Sequence, residues 1–293
     1  MSAEDLYQHL ARGDAHVCQC WLVTRRDGVS YGFTDHDAPL RFDGQDFVAS
    51  SGLSAASLAG STGLSVDNTE AVGLLHSDGI DEADIVAGRF DGAEVRNWLV
   101  RWDDVSARIT RFRGHIGEIT REGGQFRAEL RGLAEALNQP QGRSFLRSCS
   151  AVLGDRDCGF DLSDPTYSVR VPVEVLRDDL VLRVSAPGYA DRWFEQGRLL
   201  VETGVAKGLS AAIKHDHRSG SKREITLWAA LRAGLAEGDE VTLQAGCDKR
   251  AETCRVKFAN FANFRGFPHV PGEDWLVSVP RSATADGGES LNS

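Results

Sequence analysis

Four of the six cysteines stand where a structural cysteine seldom does. Cys149 and Cys158 sit in SCSAVLGDRDCGFD, and Cys247 and Cys254 in GCDKRAETCRVKF. Both segments are polar, whereas structural cysteines hide in apolar strands. Two loop pairs about 90 residues apart follow the logic of one site clamped by two knuckles. Disulfides fit the even count, but MSAEDLYQHLARGD has no apolar export signal, and the cytosol keeps thiols reduced. Zinc takes four thiolates in a tetrahedron, with pair spacings of two to four. Here eight residues separate one pair and six the other, giving larger loops that suit a bulkier iron–sulfur cluster. Spacing leaves zinc and iron–sulfur evenly balanced. Four paired cysteines match a single activated nucleophile poorly.

The remaining reactive groups have plainer readings. Cys18 and Cys20 form C-x-C in the apolar run HVCQCWLV. Strand alternation puts both on one face, as two small core side chains. Asp35, His36 and Asp37 in FTDHD follow directly on a strand. Successive strand side chains diverge, so we expect a turn whose Asp side chains bond local N–H groups. His215, Asp216 and His217 in KHDHRSGSKRE read as a solvated hairpin tip without enough ligands for a metal. Phe258, Phe261, Phe264 and Phe267 recur every three residues in FANFANFRGFP. They are expected to pack around the cysteine loops and keep water out, and a 3₁₀ or helical stretch would align them on one face. Arg265-Gly266 reads as a tight turn needing a permissive backbone. No phosphate loop, dinucleotide fingerprint, zinc-protease motif or G-x-S-x-G elbow occurs, and no catalytic residue is assigned.

The elements that must hold these residues are mostly strands. The 293 residues include 31 glycines and 8 prolines, with glycine clustered between apolar runs, a sign of many short strands and turns. Asp27-Gly28, Asp43-Gly44 and Gly123-Gly124 mark hairpins. Short helices are expected over 2–13 and within 79–92, the second capped by Asp81, stopped by Gly88, and apolar at Ile80, Ala83, Ile85 and Val86. Pro140 and Gly142 break LAEALN and set a domain boundary. The expected fold is mainly β: two antiparallel β domains of sandwich or barrel type with a few short helices. Residues 1–140 are expected to form an N-terminal β domain, 141–279 a β-rich domain carrying the four cysteines, and 280–293 a flexible tail. The net charge of −10 argues against general or sequence-specific nucleic-acid binding, and no apolar run is long enough for a transmembrane segment.

RRDG, GFTDHD, LSVDN, DIVAGRFDGAEV, GEITREGGQFRAELRGLAEALNQPQGR, the C-x₈-C segment and NFRGFPHVPG occur in that order. The run resembles the hub (baseplate) protein of alphaproteobacterial gene transfer agents and is similar, more remotely, to tail-tip proteins of long-tailed phages. The resemblance covers nearly all of residues 15–279. It implies that Cys149, Cys158, Cys247 and Cys254 ligate a [4Fe–4S] cluster. It also implies a structural, non-catalytic part in a tail baseplate. There a homotrimeric ring would join the distal tail protein to the central fibre-like protein, with a tail-associated peptidase as a further partner. The chain would be made in the cytoplasm and then assembled into the particle. A cytosolic iron–sulfur or zinc enzyme is the alternative.

Overall fold

Alternation in VCQCWLVT makes strand β1 (Val17–Thr24) and buries side chains on both of its faces. A computed structural model of the chain describes residues 3–13, 16–49, 68–71, 80–122, 125–132, 142 and 145–270. Ser2, the turn at 123–124, the expected boundary at 140 and the tail 280–293 lie outside the described residues.

β1 pairs with β2 (Ser30–Thr34) through the turn at Asp27-Gly28. β3 (Leu40–Phe42) and β4 (Gln45–Ala49) flank Asp43-Gly44. Both turn residues are left-handed (φ 51° and 73°), the conformation for which Asp-Gly is suited. β4 then returns parallel to β2, opposing Phe33 to Val48. β5 (Asn68–Ala71), β6 (Glu94–Arg101), β7 (Arg108–Glu122) and β8 (Gln125–Gly132) complete an eight-stranded sheet in the order β3-β4-β2-β1-β6-β7-β8-β5.

That sheet has a core on each side. Cys18 and Cys20 oppose Val100 and Trp98 across the β1–β6 ladder and pack with Phe42 and Phe47. Trp21 and Val23 oppose Asn97 and Val95 on the other face, which is covered by Ile85 and Phe90. Helix α1 (Ala3–Ala11) packs on β7 and buries Leu6. Helix α2 (Glu82–Val86) is capped by Asp81, whose Oδ1 accepts from the Ala83 N–H at 2.9 Å. Ile85 enters the core, whereas Ala83 and Val86, expected on the same apolar face, are exposed.

β9 (Ser168–Arg177), β10 (Val181–Ser185), β11 (Arg198–Val201), β12 (Ser210–Ser219), β13 (Lys222–Leu227) and β14 (Glu240–Gln244) close into a barrel. Closure depends on strands that change partners. β9 pairs with β14 up to Pro172 and with β10 beyond it; β12 pairs with β11 and, after Ala212, with β13 across a bulge. The barrel is filled by Val171, Leu182, Leu199, Ile213, Ile225 and Leu243 among others. Arg89, in the loop after α2, donates to the Val205 and Lys207 carbonyls, and Arg232 meets Asp91 at 2.7 Å, joining the sheet to the barrel.

The KHDHRS segment departs from the expected loop. It continues β12 to Ser219, with His215 and His217 outward and Asp216 fully buried. Asp216 Oδ1 accepts from Arg223 Nε at 3.0 Å and its Oδ2 from the Phe194 N–H at 2.8 Å. A buried cation on the next strand draws the acid inward, where an Asp without a partner would stay in water.

Candidate cofactor centre

The four loop cysteines come together. Cys149, Cys158, Cys247 and Cys254 line a single cavity with Leu153, Phe258 and Phe264.

The first knuckle runs from Cys149 to Gly159 and is folded by Asp155. Its carboxylate accepts the N–H groups of Val152 and Cys158, each at 2.7 Å, and so is held below the usual carboxylate range. The second knuckle leaves the barrel at β14. Gly246 passes so close to the Glu195 carbonyl that any Cβ would collide with backbone. Asp248 then accepts from the Arg250 N–H (3.0 Å) and the Thr253 hydroxyl (2.9 Å), starting helix α3 (Ala251–Val256), which carries Cys254.

The knuckles are tied to each other as well as to the barrel. The Cys149 N–H donates to Lys249 O at 2.9 Å, and the Lys249 ammonium to Ala151 O. Asn260 Nδ2 donates to Cys158 O at 2.8 Å, while the Asn260 N–H bonds Cys254 O at 3.0 Å. Gly266 lies against the Arg147 and Ser148 carbonyls, where a Cβ would clash. Close approach, not a left-handed backbone, therefore explains that glycine.

Two sulfurs receive N–H donors. Arg265 N–H reaches Cys149 Sγ at 3.3 Å, and Asn260 Nδ2 reaches Cys158 Sγ at 3.5 Å. Burial pushes the Cys247 and Cys254 thiols up, and the other cavity thiols push Cys254 further. Among the described residues, no three His, Cys, Asp or Glu side chains are gathered closely enough to hold a single metal ion.

Of the four phenylalanines, Phe258 and Phe264 line the cavity and Phe261 and Phe267 do not, and the four do not share one face. Phe258 meets Phe160 edge-on (5.0 Å), Phe261 stacks on Phe264 (5.6 Å), and Phe267 packs on Phe145 (4.7 Å). A 3₁₀ turn spans only Phe261–Asn263, too short to align all four. The other candidates stay apart from the cavity. FTDHD bends after β2, but its local N–H groups are bonded by Thr34 Oγ1 and His36 Nδ1, while Asp35 Oδ1 accepts the Gln19 N–H of β1 at 2.6 Å and His36 stacks on Trp102 (5.2 Å). Cys18 and Cys20 are buried core residues. Sequence reading missed Lys249, Asn260 and the Arg265 N–H. The only signal was two asparagines interleaved in the aromatic run FANFAN.

A model of the family "Baseplate hub protein, N-terminal attachment domain" matches residues 3–161. The chain belongs to this baseplate hub protein family. A second model, "Phage conserved hypothetical protein BR0599", matches residues 192–274 of the hub protein. The first match contains Cys149 and Cys158, the second Cys247 and Cys254. The hub protein is also similar to a chain in a solved structure described as "Virion of native gene transfer agent (GTA) particle". The two share 50% identity at a TM-score of 0.87, over 98% of this chain and 99% of that one. No curated protein matches.

Proposed function

We propose that this hub protein is a structural component of the baseplate of a gene transfer agent particle. We further propose that Cys149, Cys158, Cys247 and Cys254 hold a [4Fe–4S] cluster within it. The observation that carries the first part is the end-to-end likeness, at 50% identity, to a chain of a gene transfer agent virion. Cytoplasmic synthesis, a homotrimeric ring, and contacts with a distal tail protein, a central fibre-like protein and a tail-associated peptidase follow from the same reading. The role is structural and not catalytic.

The cluster is supported by the donor set. Four thiols of two distant knuckles face one cavity with apolar walls, and N–H donors point at two of the sulfurs. Hydrogen bonds to the sulfurs are a usual feature of such sites. A lone zinc ion, at ≈ 2.3 Å from each sulfur, needs its ligands about 4 Å apart. Four thiolates from two separate knuckles are the ligand set that a [4Fe–4S] cluster takes. When bound, the cluster supplies four iron–thiolate bonds that staple the two loops. The chain itself holds the ligands in place: Asp155 folds one knuckle, Asp248 starts the helix of the other, and Asn260 joins them.

Cells making particles with Cys247→Ser hub test both parts. The expected result is insoluble hub or particles lacking a complete baseplate by electron microscopy. Normal particles would remove the structural need for the cluster, and wild-type particles without the hub would remove the baseplate role.

A further inference from the structure

Lys257 follows Cys254 by three residues, at the end of α3, where its N–H bonds Thr253 O at 2.9 Å. Its ammonium is tied to the start of the second knuckle and to the barrel. Nζ donates to Gly246 O at 2.9 Å, immediately before Cys247, and to Trp193 O at 2.7 Å on the barrel. The charge sits over the Trp193 ring (4.3 Å) and the Phe258 ring (5.4 Å), and Phe258 lines the four-thiol cavity. No carboxylate forms an ion pair with Nζ among the described residues. A half-buried cation held only by carbonyls and ring faces is costly unless opposite charge lies near. Burial pulls this ammonium down to about 8, and the attraction opposing that most strongly is to Cys247, ahead of Asp248 and Asp216.

We propose that Lys257 is the built-in counter-charge of the four-thiolate centre: a positioning residue that offsets the centre's negative charge from behind Phe258. The inference rests on the cluster reading above. Net charge and hydrogen bonding set the reduction potential of such centres. A fixed positive charge favours the reduced, more negative form and resists loss of the metal.

The test uses full-length protein reconstituted anaerobically with iron and sulfide, as wild type, Lys257→Gln, Lys257→Met, Lys257→Arg and, as a distant charge control, Lys214→Gln. Circular dichroism checks folding, and Met keeps the stem over both rings should Gln fail to fold. Two quantities are read: the one-electron midpoint in a dithionite titration and the rate of iron release to a chelator. Removing the charge is expected to disfavour the reduced form about tenfold, a midpoint lower by about 59 mV for one electron. Iron release should rise several-fold. Lys257→Arg and Lys214→Gln should match wild type. The inference is overturned if the neutral variants keep the wild-type midpoint, or if Arg shifts it as far as Met does. Wild-type protein that takes up no iron overturns the cluster reading and this inference together. Iron uptake with unchanged neutral variants overturns this inference alone.

Discussion

Replacing Asp216 by Ala tests how the barrel holds the loop behind the cysteine site. Both side chains of the Asp216–Arg223 pair are completely buried. Without the carboxylate, the guanidinium keeps the carbonyls of Tyr189 and Ala190, the face of Phe194 (5.1 Å) and the longer-range attraction of Asp191, but loses its only ion-pair partner among the described residues. Leaving a buried charge alone costs about 3–5 kcal/mol. The Phe194 N–H also loses its acceptor, worth about 1–3 kcal/mol on its own but not additive with the first loss. We expect a net destabilisation of about 4 kcal/mol and a melting temperature lower by about 10 °C. The same loop carries Trp193, whose carbonyl takes the Gly246 N–H (3.0 Å) and the Lys257 ammonium, so the second knuckle should loosen first. Calorimetry and urea unfolding give the loss. The double variant Asp216→Leu/Arg223→Met should recover most of it, because apolar replacement of both partners of a buried ion pair is often neutral. A loss under about 1 kcal/mol, or a double variant no better than the single, would refute the reasoning.

Asn260→Ala removes the donor to both the carbonyl and the sulfur of Cys158, and is expected to cost about 1–2 kcal/mol in urea unfolding and to lower the metal content of purified protein. Gly246→Ala drives a Cβ into the Glu195 carbonyl and is expected to cost about 4 kcal/mol or more, seen as loss of soluble protein on expression. Glu94 is held below the usual carboxylate range, first by its hydrogen bond from Arg96 and then by the charges of Arg96 and Arg113. A depressed folded-state value contributes stability above the unfolded value, near 4.3, and loses it as pH falls through the folded one. Glu94→Gln should therefore cost about 0.5 kcal/mol at pH 7, and the difference should close below about pH 4 in parallel melts.

Local chemistry was readable from the residues, and pairing across the chain was not. Asp43-Gly44 announces its hairpin because only the two turn residues decide it, and Asp81 announces its helix for the same reason. The parallel return of β4 onto β2 leaves no such mark, since β3 and β4 alternate as any hairpin would. Asp216 looked solvated because its partner Arg223 lies beyond a turn, in a run that is just as polar. Val86 has the right spacing for the core, but a five-residue helix has room for one buried apolar side chain, Ile85. The cysteine pairs stood out because polar loops are the wrong place for idle thiols. Lys257 and Asn260 did not, being ordinary surface residue types until the fold turns them toward the cavity wall.

Iron and acid-labile sulfide counted per chain, in full-length protein purified without oxygen, test the central claim most directly. The account predicts about four of each, a brown solution with broad absorption near 400 nm, and loss of both when any one of Cys149, Cys158, Cys247 or Cys254 is changed to Ser. One zinc ion per chain, or iron and sulfide that survive all four substitutions, would contradict it.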